Sequence, residues 1–594
     1  MSEPRRSIVA PEHASWLDVI EGAAPILLIA PHGGRMGSAT RAVLNPKVND
    51  LYTAEITADL ATQLRATALV NHGMDRNHLD LNRLSQLLAH APWFLELIEN
   101  HLEAIVERHG HATVLIIHGW NVIQPRLDLG LGLRRHGDEL RPAGSAHVSA
   151  RDAFIHGELA ELTRRLSSHG IAASFGLRYP AGGAQNLLQA FTDRYADSDA
   201  GALKRLSSMA AKGSVDAAQF ELSVALRMPG ELRRNCVASI GDVFGARASR
   251  PAAPDVHVIR HASRPVSPRR PATPAPVPMP TRIGVELFDP MSKAGAMASF
   301  DLGPGAIGAR VMILLPNRGV ALFTGEGKVS CEPGRISLGP LSIGLSRGAL
   351  ELGFNGPGVI VPDAANYLSI ERALASGWLD ENMRLAIRMT SQGASLEEML
   401  SRLGEANDGA AKSASEPLFG RVEGTINIDG FRAEFDGGFA RAGVSFTGLG
   451  ATRFDSRRMM WASFDKGSIG SAVELRSVCG DSGEHRSGKI LASSTWSECT
   501  VHRIEVETSG PDTPPETLGA EFALADESIP RTMTGAISAF VPLARPGPEG
   551  SRIYTTLGFA EFDLGGNRGG GMFEYSRRAG AASGSPADSD ETED

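Results

Sequence analysis

The stretch that decides the fold is Pro25-Ile-Leu-Leu-Ile-Ala30, followed directly by Pro31-His32-Gly33-Gly34. A second run of the same kind, Ala112-Thr-Val-Leu-Ile-Ile117, ends in His118-Gly119. Short apolar runs that end at a turn are typical of buried strands in a parallel sheet. The carboxyl ends of such strands meet at one edge of an α/β sheet, where ligands bind. We therefore expect His32 and His118 to lie together at that edge and to bind a metal ion.

The chain is too long for one hydrophobic core, because its 594 residues exceed the ~250–300 that a single core supports. Up to about residue 245, strand-like runs alternate with stretches of helical periodicity, over Asp50–Thr67, Pro92–Arg108, Ala150–Ser168 and a short one at Asp216–Met228. Alternation of this kind predicts an α/β sandwich with a mixed sheet, in a domain over residues 1–245.

The composition changes abruptly after this domain. Residues 246–282 are rich in proline and arginine and predict an extended linker. Residues 283–578 contain short β-type runs between turn residues, which predicts a mostly antiparallel barrel or sandwich. One stretch, Asn366–Gly404, has helical character and predicts a helical insertion. The small, acidic tail over 579–594 is expected to be disordered.

Bulk composition excludes several classes of protein. The net charge of −9 argues against nucleic acid as the main partner. The four cysteines form no Cys-x-x-Cys pair, so neither a thiolate zinc site nor a disulfide framework is indicated. Residues 1–6 lack the apolar core of a signal peptide, and no run approaches the ~18 apolar residues of a membrane span. These features predict a cytoplasmic protein without a membrane span.

A hydrolytic zinc site needs three protein ligands, an open position for water and a separate carboxylate that moves protons. His32 and His118 are the nitrogen candidates. Asp50 and Glu55, at the start of the helix that follows the first histidine, are the candidates for the oxygen ligand. Both carboxylates would also suit a helix start for electrostatic reasons, and spacing alone does not choose between them.

Five motifs, in their order along the chain, resemble those of a known protein family. They are Pro31-His-Gly-Gly34, Asp50-Leu-Tyr-Thr-Ala-Glu55, Asp80-Leu-Asn-Arg83, Ile117-His-Gly119 and Gln219-Phe-Glu-Leu-Ser-Val-Ala-Leu-Arg227. Residues 20–240 thereby resemble the N-formylglutamate amidohydrolases and the related poly-γ-glutamate hydrolases. The resemblance implies a zinc carboxypeptidase-like, three-layer fold with one Zn²⁺ per chain. It also implies a small acidic amide as substrate, N-formylglutamate-like or γ-glutamyl.

Carried over by position, the resemblance implies that His32, Asp50 and His118 hold the metal, with Glu55 in reserve. It gives Glu221 the role of the catalytic carboxylate, which takes a proton from water and returns it to the leaving amine. The alternative for Glu221 is a solvated helix residue. An insertion over residues 35–48 separates His32 from Asp50 by more residues than separate the corresponding ligands of carboxypeptidases. The alternative for the whole site is therefore that this chain is a relative of the family that binds no metal.

The same resemblance makes Asn82 and Arg83 substrate-binding residues. A guanidinium group can hold a carboxylate through two parallel hydrogen bonds, which a lysine cannot do. The alternative for Arg83 is a buried ion pair, for example with Asp80. Asn186 is a further candidate for substrate binding, and Arg227 a further possible site residue.

A second resemblance concerns the β-rich half. Its ending, Gly566-Asn-Arg-Gly-Gly-Gly-Met-Phe-Glu-Tyr-Ser-Arg577, resembles lipocalin-related, two-barrel bacterial proteins that bind or modify lipids and terpenoids. This implies an alternative function, in which the N-terminal domain is a scaffold and the β half binds an apolar ligand. The candidate lining residues are Leu314, Phe323, Phe540 and Phe559.

Overall fold

The structure is a computed structural model of the chain. It describes residues 15–35, 47–136, 139–248, 280–301, 308–327, 329–332, 334–346, 348–391, 417–446, 454–464, 472–480, 483–492, 495–508, 510, 513–525, 527–546 and 551–579. The N-terminal strands are β1 Leu17–Ile20, β2 Ile26–Ala30, β3 Thr67–Asn71, β4 Ala112–Trp120, β5 Arg126–Gly130, β6 Leu133–His136, β7 Glu139–Pro142, β8 Ala172–Phe175 and β9 Val215–Ser223. The helices are α1 Thr53–Leu64, α2 Leu84–His90, α3 Pro92–His109, α4 Asp152–Phe154, α5 Ala160–Ser168, α6 Gly201–Ala211, α7 Val224–Arg227 and α8 Glu231–Ala248, with a π-helical turn at Ile155–Leu159 and 3₁₀ turns at Leu187–Phe191 and Asp193–Tyr195.

Within the described residues, the N-terminal region is built on a seven-stranded mixed sheet of order β1-β3-β2-β4-β9-β5-β8. Strands β3, β2, β4 and β9 are mutually parallel, whereas β1 and β5 run antiparallel to their neighbours β3 and β9. Helices α1, α5 and α8 pack on one face and α3 and α6 on the other, through two separate apolar clusters. The predicted α/β region with a mixed sheet is confirmed, while the finer carboxypeptidase-like assignment stays a prediction.

The short helix predicted over Asp216–Met228 is wrong for most of its length. Residues 215–223 form the central strand β9, and only the four residues of α7 are helical. Every residue of β9 is buried, because β4 and β5 flank it in the sheet and helices cover both faces. A buried strand is usually predicted from a continuous apolar run, and in β9 polar residues at every second or third position interrupt that run. The segment is a strand because of its burial in the folded protein, which the local pattern does not show.

The C-terminal region is mostly antiparallel, as predicted. Its strands are β10 Pro280–Asp289, β11 Ala294–Asp301, β12 Gly308–Leu315, β13 Gly319–Glu326, β14 Ser330–Glu332, β15 Arg335–Leu338, β16 Leu341–Ser346, β17 Ala349–Val361, β18 Trp378–Ser391, β19 Leu418–Ile428, β20 Phe431–Phe446, β21 Ser456–Phe464, β22 Ala472–Gly480, β23 Gly483–Ala492, β24 Thr495–Glu507, β25 Thr517–Leu524, β26 Arg531–Pro546, β27 Arg552–Leu564 and β28 Asn567–Ala579. A 3₁₀ turn at Ala364–Leu368 and helix α9 at Ile370–Ser376 precede β18.

These strands form two eight-stranded barrels in the described part of the chain. In the first barrel, β13-β12-β11-β10-β20-β19-β18-β17 closes on itself through the β13–β17 pairing, and β16, β15 and β14 extend from β17. In the second barrel, β21 to β28 follow one another and β28 pairs with β21. The likeness to lipocalins in particular stays a prediction.

The helical insertion predicted over Asn366–Gly404 is much shorter than expected. Helical structure ends at Ser376, and residues 378–391 form β18. Along β18 the buried side chains Met383, Leu385, Ile387 and Met389 alternate with exposed ones, which is the period of a strand. Residues 392–404 of the predicted insertion lie outside the described residues.

The first barrel packs directly on the N-terminal region. Leu51, Ile123, Val224 and Met228 belong to the same buried apolar cluster as the core of that barrel. Helix α8 and strand β10 include the two ends of the predicted linker, whose residues 249–279 lie outside the described residues, as does the tail beyond residue 579. Among the described residues, no helix has the length and hydrophobicity needed to cross a bilayer.

Candidate metal centre

The two strand-end histidines lie side by side in the structure. His32 follows β2 by two residues, and His118 is the third residue from the end of β4, the parallel neighbour of β2. Their ring centroids are 4.7 Å apart with an angle of 68° between the rings. Both imidazoles are buried, at 1% and 3% exposure. The parallel pairing of β2 and β4 is what brings both imidazoles to one edge of the sheet.

Asp50 joins the two histidines from the segment before α1. Its Oδ2 atom lies 3.3 Å from Nδ1 of His32 and 3.1 Å from Nδ1 of His118, and it accepts a 3.0 Å hydrogen bond from the Gly119 amide. Burial raises the pKa of Asp50, but the imidazoles of His118 and His32 in contact with it and the charge of Arg76 outweigh burial and hold the pKa well below its ordinary value. Asp50 is therefore a carboxylate, the form that binds a cation.

The donor set fits a divalent metal ion. One atom from each of His32, Asp50 and His118 can be chosen so that all lie within 4.8 Å of one another. Each imidazole also keeps one buried ring nitrogen, Nδ1 of His32 and Nε2 of His118, without a hydrogen-bond partner among the described residues. Buried polar atoms are rarely left unpartnered, so two of them in one cluster indicate a missing ligand. Two histidines and one carboxylate are a common donor set for zinc.

Asp80 orients the His32 ring by contacting the ring nitrogen that faces away from Asp50. The sequence analysis did not assign this role to Asp80. Its Oδ1 atom lies 2.7 Å from Nε2 of His32, and its Oδ2 atom accepts a 3.1 Å hydrogen bond from Lys47. Burial raises the pKa of Asp80, yet the His32 contact, Arg76 and Lys47 outweigh burial and lower the pKa far below its ordinary value. An imidazole whose Nε2–H donates to a carboxylate presents a bare Nδ1 to a metal.

Replacing Asp80 by asparagine is expected to weaken metal binding by about 10- to 100-fold, because the neutral amide holds the His32 tautomer less firmly. Competition with a chelator of known affinity measures this change. Asp216→Asn is the matched control, since Asp216 is equally buried and lies 3.1 Å from His111 away from the centre. Equal metal affinity of Asp80→Asn and wild-type protein would contradict the orienting role.

Glu221 lies beside the cluster on β9. It is the register partner of His118 across the parallel β4–β9 pairing, and it is buried at 4% exposure. Its Oε1 atom accepts a 2.7 Å hydrogen bond from Gln219. Burial raises the pKa of Glu221 to about 7, with His118 lowering it and Asp50 raising it further. A carboxyl group with a pKa near neutrality can both accept and release a proton.

Arg227 is buried and hydrogen-bonds to the backbone of the three segments that contain Asp50, His118 and Glu221. Its guanidinium donates to the carbonyl oxygens of Leu51 at 2.7 Å, Leu222 at 3.1 Å and Trp120 at 3.3 Å. These carbonyls lie one or two residues beyond Asp50, Glu221 and His118. A side chain at Gly119 would overlap this guanidinium, so the glycine makes room for it. Arg227 contacts backbone around the cluster and is a positioning residue.

The loop with Asn82 and Arg83 meets the loop with Asn186. Arg83 and Asn186 form an isolated antiparallel bridge, and the Leu84 amide donates to the Gln185 carbonyl at 2.8 Å. Within the described residues the exposed guanidinium of Arg83 forms no ion pair, so the alternative pair with Asp80 is not formed. The buried Oδ1 atom of Asn82 has no hydrogen-bond partner among the residues that the structure describes, and the Asn186 side chain accepts from the Leu188 amide at 2.8 Å.

The reserve ligand Glu55 does not join the centre. Its side chain is 44% exposed and forms a 3.2 Å ion pair with Arg35. Glu55 lies in the first turn of α1, whereas Asp50 precedes the helix by three residues and points back to the histidines. Only Asp50 reaches the cluster, because it lies in the non-helical segment before α1, whereas Glu55 lies on an exposed face of the first helical turn.

The residues proposed for an apolar ligand lie in packed cores. Leu314 and Phe323 of the first barrel and Phe559 of the second belong to one shared buried apolar cluster, and Phe540 packs against the core of the second barrel. The Phe323 ring contacts Phe354 with a centroid distance of 4.9 Å, and the Phe559 ring stacks on Phe288 at 5.6 Å. Binding of an apolar ligand there stays a prediction.

Comparison with known proteins gives only distant likenesses. No sequence-family profile matches the chain, and no curated protein matches it. Sixteen chains of solved structures show similarity. An AttH-like protein from Nitrosomonas europaea is 11% identical, with 52% of this chain and 98% of that chain covered and a TM-score of 0.34. Kievitone hydratase from Nectria haematococca is 11% identical, with 50% and 89% covered and a TM-score of 0.32.

One further solved structure is an N-formylglutamate amidohydrolase from Ralstonia eutropha JMP134. It is 11% identical, with 39% of this chain and 97% of that chain covered and a TM-score of 0.27. Likenesses of this size carry no functional argument. Any function assigned to the chain therefore rests on the geometry of its own residues.

Proposed function

We propose that the chain is a metal-dependent hydrolase that cleaves an amide bond in a small acidic substrate. The observation that carries this proposal is the buried cluster of His32, Asp50 and His118 with Glu221 beside it on the neighbouring strand. Zinc is the metal that best suits this donor set. When bound, such a cation polarises a carbonyl group and lowers the pKa of water to about 7.

The chain's own residues supply the remaining steps. Glu221 accepts a proton from the attacking water and delivers it to the leaving amine, because its pKa lies close to neutrality. Asp80 and Arg227 hold the His32 ring and the surrounding backbone in place. Arg83, with a guanidinium free of protein ion pairs in the described part of the chain, binds the substrate carboxylate, and Asn82 and Asn186 lie beside it.

Metal analysis and activity of the full-length protein test the proposal. The full chain is required, because the first barrel packs on the segments that follow Asp50 and His118. We expect about one equivalent of zinc per chain, hydrolysis of N-acylglutamates and γ-glutamyl amides, and loss of activity on chelation that zinc restores. Purified protein that binds no divalent metal, or whose hydrolysis is unaffected by chelation, would overturn the proposal.

Replacing Arg83 by lysine is expected to raise KM for an acidic amide by about tenfold with little change in kcat, because lysine loses the bidentate contact. The measurement compares N-acetylglutamate with N-acetylpropylamine, which lacks both carboxylates. Arg108→Lys, on the exposed end of α3, is the matched control. An equal loss on both substrates would contradict a role in binding the carboxylate.

A further inference from the structure

We propose that the second barrel has a binding site for a small organic carboxylate, in a cavity where strands β23 and β24 separate. The cavity has a volume of about 190 Å³ and is lined by residues of β21, β23 and β24. Five of the lining side chains are charged: Arg458, Glu484, Arg486, Arg503 and Glu505. The site lies away from the metal centre and does not depend on amide hydrolysis.

The cavity forms because two neighbouring strands of the barrel pair over only part of their length. Strand β23 pairs with β24 over Gly488–Ala492, but it pairs with β22 as far back as Gly483. Strand β24 stays paired with β25 as far as Glu507, with a bulge between Val501 and Arg503. Bulges and interrupted ladders redirect side chains and are frequent beside functional sites. The barrel wall is therefore open between the two strands.

Charged side chains bridge this opening. From β23, Arg486 donates hydrogen bonds to the carbonyl oxygen of His502 on β24 and to the carboxylate of Glu484. On β24, Arg503 forms an ion pair with Glu505. Each carboxylate that lines the cavity is therefore balanced by an arginine of its own strand.

Arg458 is the remaining cation of the cavity. Met460 and Ala462 of the same strand belong to the core of the barrel, so Arg458 lies on the same, inward face. Its guanidinium carbon lies 5.3 Å from the ring centroid of Tyr575, its register partner on β28. The buried Nε atom of Arg458 has no hydrogen-bond partner among the described residues. With three arginines and two glutamates, the lining carries one net positive charge.

This charge and the unpartnered N–H group select an anionic ligand. Buried donors are rarely left without an acceptor, because the missing hydrogen bond is costly. A guanidinium forms charge-assisted hydrogen bonds with oxyanions, and the Tyr575 ring holds that of Arg458 in place. A carboxylate brings the single negative charge that balances the lining. A phosphate dianion would bring a second charge that no further cation of the cavity balances.

The size and the inner wall of the cavity define the rest of the ligand. An enclosed cavity of about 150 Å³ is large enough for benzene, so this one has room for a slightly larger molecule. Ile504 and Val506 line the cavity and also belong to the apolar core of the barrel. They offer an apolar contact beside the charged groups. The matching ligand is a carboxylate on a short apolar body, of about the size of benzoate.

Calorimetric titration of the full-length protein with benzoate, benzamide and acetate tests the site, with chelator present so that the metal centre holds no zinc. Benzoate is expected to bind at least about tenfold more tightly than benzamide, which lacks the charge, and than acetate, which lacks the apolar body. Arg458→Gln is expected to weaken benzoate binding at least about tenfold, because a hydrogen bond to a charged group is lost.

Arg457→Gln is the matched control. Arg457 is the preceding residue of β21, points to the opposite face and pairs with Glu574 at 3.4 Å. Its replacement is expected to leave benzoate binding unchanged. Arg458→Lys keeps the charge but lacks the Nε donor, and its affinity is expected to lie between those of wild type and Arg458→Gln.

Three results would overturn the site. The first is wild-type protein that does not bind benzoate, and the second is wild-type protein that binds benzoate no more tightly than benzamide or acetate. Neither result depends on the folding of a variant. The third is a loss of benzoate affinity in Arg458→Gln and Arg458→Lys no larger than in Arg457→Gln.

Discussion

Replacing Glu221 by glutamine is expected to lower kcat by about 10²- to 10⁴-fold, the range in which a positioned general acid–base group acts. Glutamine has nearly the same volume and retains an oxygen that can accept from Gln219. It cannot accept the proton of the attacking water, so the chemical step loses its base while the fold and the His32–Asp50–His118 cluster remain. Steady-state kinetics of the zinc-loaded variant measure the effect.

Two observations distinguish this loss from general damage. Metal content and the thermal unfolding midpoint of Glu221→Gln are expected to stay close to wild type. Glu99→Gln is the matched control, because Glu99 is also buried but pairs with Arg205 of α6 instead of facing the cluster of His32, Asp50 and His118. Its expected cost is in stability, with kcat retained. A kcat for Glu221→Gln within a factor of about three of wild type would contradict the assignment.

The raised pKa of Glu221 also predicts a pH dependence of stability in the metal-free protein. Its folded pKa, about 7, lies above the ordinary value of 4.5, so the folded state binds more protons between these values. The free energy of unfolding therefore falls as pH rises from about 4.5 to 7, by up to about 3 kcal/mol, and levels off above 7. Glu221→Gln removes this slope. Denaturant unfolding of both proteins with chelator present, at several pH values, checks the sign.

The sequence predicts best where a local pattern and the tertiary environment agree. The apolar runs before His32 and in front of His118 are short, rich in β-favouring residues and followed by glycine, which favours buried strands, and the carboxyl ends of parallel strands meet at one edge of the sheet. The convergence of two distant imidazoles could therefore be expected from one-dimensional information. Asp50 lies between the two histidines in the chain, but its choice over Glu55 depended on the family resemblance. Sequence spacing alone does not determine the direction of a side chain that precedes a helix.

Glu221 shows where the local pattern fails. Gln219 and Glu221 interrupt the apolar residues of β9, and the stretch Asp216–Met228 was predicted to be a short helix. In the structure, both side chains hydrogen-bond to each other within a strand that is buried on both faces. Polar residues in a central strand violate the rule for buried strands, and such exceptions are expected at functional sites.

The contacts that orient the site residues could not be predicted from the sequence, for a different reason. Asp80 is 48 positions from His32, and Arg227 is 176 positions from Leu51, whose carbonyl oxygen it contacts. No periodicity relates such residues, since their proximity depends on how loops cross the sheet. Asp80 did carry one signal, because it belongs to a motif quoted for Arg83. A carboxylate beside a candidate ligand motif is worth testing as a partner of the histidine.

Replacing His118 by alanine is expected to reduce bound zinc from about one equivalent to below about a tenth, because two remaining ligands do not make a zinc site. The change leaves the buried Asp50 carboxylate without its 3.1 Å contact to an imidazole, although Arg76 and the Gly119 amide still face it. Elemental analysis and the visible spectrum of a cobalt-substituted sample measure the loss. His111→Ala is the matched control, since His111 contacts a buried aspartate outside the centre.

Thermal unfolding provides a second measurement of the same change that does not depend on catalysis. A ligand at 100 times its Kd stabilises the folded state by about 2.7 kcal/mol, so zinc is expected to raise the unfolding midpoint of wild-type and His111→Ala protein. The midpoint of His118→Ala is expected to be insensitive to zinc. If zinc instead raised the midpoint of His118→Ala as much as that of the wild type, the ion would bind elsewhere. The cluster of His32, Asp50 and His118 would then be a hydrogen-bonded core of the sheet edge, and amide hydrolysis would lose its structural basis.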